Sequence, residues 1–166
     1  MSIITPSDRE FAECALKNIF IGSSLDGIKF GVGPRSTFIY FIHYSDKEPD
    51  KLWINIEVNK FAVLNNKAKS EFLVFENMRE LSEEEAISTI LEIRREQIVD
   101  ISLGENSPSL LISFNSGKCL YINGYDKNVE CWQAGDGEGI TGDDWLIVAV
   151  PGNEIAAWTP DDFELN

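Results

Sequence analysis

The chain has little of what catalytic and metal sites are usually built from. It contains one histidine, His43, and no paired cysteines at zinc-ligand spacing. A Ser–His or Cys–His nucleophile would need His43 as its base. His43 lies in the apolar run Thr37 to Tyr44, where a packed, hydrogen-bonded histidine is the ordinary outcome. We therefore assign no catalytic residue, no metal ligand and no cofactor, and the sequence favours a protein that is not an enzyme.

Cysteine is also scarce, with Cys14, Cys119 and Cys131 widely spaced along the chain. Each lies beside apolar residues in a predicted helix or strand. Cysteine packs as a small hydrophobe when nothing activates it. We expect three buried free thiols.

Long hydrophobic runs are missing as well. The longest apolar stretches, such as Thr37 to Tyr44 and Trp145 to Val150, are far shorter than the roughly 20 residues of a membrane-spanning helix. The N-terminal residues have neither the basic stretch nor the apolar run of a signal peptide. We expect a cytoplasmic protein that does not enter a membrane.

Basic residues are few, and their shortage is confined to one part of the chain. The net charge is −14; residues 1–70 carry 9 Lys/Arg against 8 Asp/Glu, whereas residues 71–166 carry 5 against 20. Nucleic-acid binding is disfavoured, because it depends on Lys and Arg neutralising phosphates. An acidic field attracts a basic partner and speeds the encounter. The alternative is that the acidity only maintains solubility.

Two helices are predicted from their N-terminal signals. The first begins near Thr5 to Ser7, with Pro6 in the first turn, and is expected to be short. The second, longer helix begins at Ser82, where Glu85 completes the spacing of a capping box.

Strands are predicted from β-branched and aromatic runs that turn residues separate. They are Thr37–Tyr44, Lys51–Asn59, Glu71–Glu76, a hairpin over Leu110–Asn123, Trp145–Val150 and Glu154–Trp158. Strands followed by one long helix and then more strands indicate an α+β fold with mostly antiparallel sheets. No linker divides the chain, so we expect one domain over residues 1–166. A weak internal echo between about 16–77 and 98–158 is compatible with duplication.

The candidate functional segment is Gly135 to Asp144, which combines four glycines with four acids. It lacks the lysine and the following helix of a phosphate-binding loop. Oxygen ligands would suit Ca²⁺, but the spacing of the twelve-residue calcium loop is absent. A solvated loop between two strands is the simplest interpretation, and presentation of an acidic patch to a basic partner is the functional one.

The residues assigned to partner binding are four acids of this segment and two nearby tryptophans, which would serve as interface anchors. They are Asp136, Glu138, Asp143, Asp144, Trp132 and Trp158. Trp145 heads an apolar strand and is expected in the core.

In the last 40 residues or so, Glu130–Gln133 is followed by Trp145–Val148 and Pro151–Trp158. Through these segments the chain resembles small bacterial proteins of uncharacterised function, a group that includes immunity proteins. Immunity proteins bind and neutralise a toxin made by the same cell, so the resemblance implies a basic protein partner such as a toxin. It transfers no functional residue. A small carboxylate-based hydrolase, a ligand- or metal-binding domain, and a homodimeric structural protein are the alternative hypotheses.

Overall fold

The computed structural model describes residues 6–65, 78–138 and 142–163, and of Pro6 and Ser7 the backbone alone. Within these ranges the chain forms two helices and ten strands. In order they are α1 (Pro6–Phe20), β1 (Ser24–Phe30), β2 (Thr37–Ile42), β3 (Lys51–Ile56), β4 (Phe61–Leu64), α2 (Glu83–Leu91), β5 (Ile98–Leu103), β6 (Leu110–Phe114), β7 (Cys119–Ile122), β8 (Trp132–Asp136), β9 (Leu146–Val150) and β10 (Glu154–Trp158). The strand predicted at Glu71–Glu76 lies outside the described residues.

The described strands form two antiparallel sheets. The large sheet has the order β1-β2-β3-β8-β9-β10, and the small sheet has the order β4-β7-β6-β5. Every pairing between these strands is antiparallel. Two helices with two mostly hairpin-connected sheets confirm the α+β class predicted from the sequence.

The helices begin where predicted, but their relative lengths differ from the expectation. α1 has 15 residues and α2 has 9. α1 continues to Phe20 because Leu16, Ile19 and Phe20 extend its buried stripe, and all three are fully buried. At α2, the Ser82 hydroxyl accepts the Glu85 N–H at 3.2 Å while the Glu85 carboxylate accepts the Ser82 N–H at 3.0 Å, which confirms the capping box.

One hydrophobic core lies between the two sheets. Alternate residues of the central strands of both sheets belong to a single buried cluster, together with the inner faces of α1 and α2. α1 packs along the edge strands β5 and β10, and α2 packs against β4 and β2. Each helix therefore closes one open side of the two-sheet stack.

The first half of the internal echo, from about residue 16, begins inside helix α1, whereas the second half, from residue 98, begins with strand β5. The two halves therefore do not correspond at this point, and duplication itself stays a prediction. Strand β3 is buried on both faces, since Trp53 and Asn55 are buried as well as Leu52 and Ile54. Within the described chain, neither helix is long and apolar enough to cross a bilayer.

Candidate functional site

The candidate site lies at one end of the large sheet, where several strands end or begin in register. Leu25, Phe41, Leu52 and Asp136 are partners across β1, β2, β3 and β8. The connections β2–β3 and β8–β9 therefore emerge at the same end. This arrangement brings together acidic residues that lie more than 80 positions apart in the sequence.

Asp136 holds the β8–β9 connection in place. Its side chain is 4% exposed, and Oδ1 accepts the backbone N–H of Asp143 at 2.8 Å, of Asp144 at 2.9 Å and of Trp145 at 2.9 Å. Hydrogen bonds to a carboxylate are shorter and stronger than neutral ones. Asp136 was expected to bind a partner directly; the structure instead commits its carboxylate to the loop, so we assign it a role in shaping the site.

Two glycines allow the chain to turn tightly around this carboxylate. Gly137 and Gly142 have φ angles of +83° and +71°, in the left-handed region that L residues with a side chain rarely adopt. A Cβ atom at Gly137 would also press on the Asp143 carboxylate, and one at Gly142 would press on the Trp145 carbonyl oxygen. Backbone geometry thus accounts for glycine at these two positions.

An open cleft of about 760 Å³ lies between the two connections. Six carboxylates line it: Glu48, Asp50, Asp136, Glu138, Asp143 and Asp144. Lys51 is the only basic residue of the described chain in this lining. The cleft therefore offers a concave, strongly negative surface.

Four of the six carboxylates are available to a ligand. Among the described residues, the side chains of Glu48, Asp50, Asp143 and Asp144 take part in no hydrogen bond or ion pair. Asp143 and Asp144 are exposed while their backbones are fixed by Asp136. The site thus displays negative charge from a loop that is already held in position.

Glu138 differs because it has an internal partner. Lys51 Nζ lies 2.6 Å from Glu138 Oε1, and both side chains are largely exposed. The hydrogen bond from Lys51 lowers the pKa of Glu138, and the same bond raises the pKa of Lys51. Both groups are therefore more firmly charged at neutral pH than they would be alone.

The tryptophans separate into surface and core. Trp158 is 58% exposed and borders a notch of about 270 Å³ that Asp143 and Asp144 also line.

Trp132 was expected to anchor a partner, but it is fully buried and its indole N–H donates to the Pro108 carbonyl at 2.7 Å. A ring with no exposed surface cannot contact a partner, so Trp132 is removed from the binding set. Trp145 is buried, as predicted, and packs edge-to-face on Phe163.

His43 and the buried cysteines are structural. His43 is buried, and its Nε2 lies 2.7 Å from the Ile19 carbonyl oxygen, which confirms a packed, hydrogen-bonded histidine. Cys119 and Cys131 are buried free thiols as expected, whereas Cys14 is half-buried. Burial raises the pKa of the Cys131 thiol to about 12, so the thiol stays protonated at neutral pH.

Glu48 and Asp50 are site residues that the sequence interpretation missed. They belong to the nearly neutral first 70 residues, so a charge count by region pointed away from them. The missing information was the pairing of β3 with β8, which places their loop beside the Gly135–Asp144 segment. Within residues 6–65, 78–138 and 142–163, no three His, Cys, Asp or Glu side chains are grouped so as to hold a metal ion.

Comparison with known proteins adds no family to this description. No family model, no curated protein and no solved structure matches the chain. The protein is therefore described by its own features, which are an α+β fold and an acidic cleft at one end of the large sheet.

Proposed function

We propose that this chain is a non-catalytic, cytoplasmic binding protein whose acidic cleft receives positively charged side chains of a basic protein partner. The observation that carries the proposal is the convergence on one open cleft of four carboxylates that take part in no hydrogen bond or ion pair among the described residues. An inhibitor of the immunity type, which neutralises a basic toxin, is the form of this function that the sequence resemblance favours.

Trp158 adds an apolar contact next to the charged one. Its exposed ring lies beside Asp143 and Asp144, which also face the cleft. A large aromatic ring supplies interface area at low entropic expense and can cover the face of an arginine guanidinium. A partner that inserts a basic side chain into the cleft would therefore find an aromatic surface a short distance away.

The experiment measures the affinity for a basic protein, chosen as a candidate from the genes that neighbour this one, at low and at high salt. Neutralising both acids in Asp143→Asn/Asp144→Asn should weaken binding about tenfold and flatten its salt dependence. The matched control is Glu105→Gln/Glu154→Gln, which removes the same charge at exposed positions away from the cleft. Equal effects of the two double variants, or binding that does not respond to salt, would refute the proposed site.

A small organic cation is a second candidate ligand, because the cleft has the volume of a small-molecule site. A polyamine is a suitable calorimetric probe for this alternative. Saturable polyamine binding that Asp143→Asn/Asp144→Asn abolishes, without binding to the basic protein, would favour the small ligand.

A further inference from the structure

A second concavity lies next to the acidic cleft, and the Lys51–Glu138 ion pair lines both spaces. A groove of about 400 Å³ passes Asp26 and Tyr40 and shares Lys51, Gly137 and Glu138 with the cleft. Lys51 is the only basic side chain of the described chain in either lining. Its contact with Glu138 therefore stands between two acidic spaces.

Tyr40, which borders the groove, and Trp158, which borders the notch, lie on one row of the large sheet. Tyr40, Trp53, Gly135, Leu146 and Trp158 are register partners across β2, β3, β8, β9 and β10. Four strand spacings of about 4.8 Å separate the half-buried Tyr40 from the exposed Trp158 by about 19 Å. An extended segment of about six residues covers that distance. Lys51, two residues before Trp53, and Glu138, three residues after Gly135, flank the middle of the row.

Movement of the Lys51 side chain would join the two concavities without breaking the backbone contact between Lys51 and Gly137. The Lys51 carbonyl accepts the Gly137 N–H at 3.0 Å, which joins the two backbones independently of the ion pair. The Lys51 side chain is 52% exposed and that of Glu138 is 77% exposed. Water can solvate both groups when they separate, so the exchange of one cation for another at Glu138 disturbs neither strand.

We propose that Lys51 is a built-in competitor that occupies Glu138 in the unbound protein, and that an extended, arginine-containing partner segment displaces it to fill cleft and groove together. This inference rests on the proposed function of the cleft. Arginine is the favoured replacement because its planar fork can bind a carboxylate through two N–H groups, whereas the lysine ammonium acts as a point charge. The displaced Lys51 side chain swings into solvent, and Glu138 changes partner.

The test measures the affinity of the full chain for a peptide of about six arginines. Lys51→Met keeps most of the aliphatic stem and removes the competing charge, so the peptide should bind about two- to fivefold more tightly. The matched control is Lys127→Met, which removes one exposed positive charge before β8, at the opposite end of the large sheet. We expect less than about 1.5-fold change there. The gain from Lys51→Met should vanish in a Glu138→Gln background, because competition needs both groups.

The outcomes separate this inference from the function it rests on. Salt-sensitive peptide binding with equal responses of Lys51→Met and Lys127→Met overturns the competitor role and leaves the acidic site standing. A gain that persists in the Glu138→Gln background overturns it as well. If neither the wild-type chain nor Lys51→Met binds the peptide, the proposed function and this inference both fail. Thermal unfolding of each variant establishes that the fold is intact.

Discussion

Removing the Asp136 carboxylate should destabilise the protein by releasing the β8–β9 connection. Its Oδ1 accepts three backbone N–H groups, of which that of Trp145 is buried and those of Asp143 and Asp144 are partly accessible to water. A hydrogen bond to a charged acceptor contributes about 1.5–3 kcal/mol to stability, and leaving a buried donor without a partner destabilises the fold by about 1–3 kcal/mol. Water can replace the carboxylate as acceptor at the two accessible N–H groups. We therefore expect Asp136→Ala to lower the free energy of unfolding by about 3 kcal/mol.

Asp136→Asn keeps one oxygen in place but loses its charge, and should be destabilised by about 1.5 kcal/mol. For a chain of this length the unfolding midpoint moves by about 2–4 °C per kcal/mol. The expected decreases are therefore about 3–6 °C for Asp136→Asn and 6–12 °C for Asp136→Ala, measured by calorimetry. Asp144→Asn is the matched control, because its exposed carboxylate bonds no described group, and it should stay within about 0.5 kcal/mol of wild type. An unchanged midpoint for Asp136→Ala, or an equal loss in Asp144→Asn, would refute the anchoring role.

The other predictions concern the tryptophans, the helix cap and a thiol. Trp132→Ala should lower the free energy of unfolding, measured in urea, by about 4 kcal/mol. Trp158→Ala should lower it by less than about 1 kcal/mol, but should weaken binding of the basic partner of the proposed function. The hydrogen bond from Arg79 and those from Ser82 lower the Glu85 pKa to about 2. The stabilisation that Glu85 provides is therefore complete above about pH 4.5 and is lost as the pH falls toward 2. In Glu85→Gln, the midpoint of thermal unfolding should depend less on pH over that range. Cys131 should resist thiol reagents at pH 8 until the protein unfolds, since its pKa of about 12 leaves almost no thiolate.

Each of these predictions has a clear contrary result. Similar stabilities of the two tryptophan variants would contradict their opposite burial. An unaltered pH profile in Glu85→Gln would show that the capping contacts do not persist in solution. Labelling of Cys131 in the native protein at the rate found in denaturant would contradict its burial.

Local signals in the sequence were sufficient for many of the elements. Ser82 and Glu85 form a cap through side-chain and backbone groups three residues apart, so spacing alone identified it. The hairpin of β6 and β7 was recognisable from the turn around Gly117, whose φ is +95°. Both features depend on neighbours in the chain, which is why they could be predicted.

Features that depend on long-range pairing could not be predicted in the same way. Trp132 looks like an exposed aromatic because Glu130 and Gln133 flank it, but β8 is a central strand and buries the ring. Asp136 looks like one acid of a loop, yet it ends a strand and accepts three N–H groups that follow it in the chain. Burial and backbone bonding are set by the neighbouring strand, and neither residue type nor local spacing reports them.

The separation of the cleft from the core has an evolutionary consequence. Glu48 and Asp50 lie in one connection, and Asp143 and Asp144 lie in another more than 90 residues later. The strands of the large sheet bury their apolar residues in the hydrophobic core and not at the cleft. Under the proposed binding function, substitutions in either connection would alter recognition without repacking the interior, as is general for loops on a rigid scaffold. Partner choice would then change one loop at a time, and Asp136 with the two left-handed glycines would be retained as the frame of the second connection.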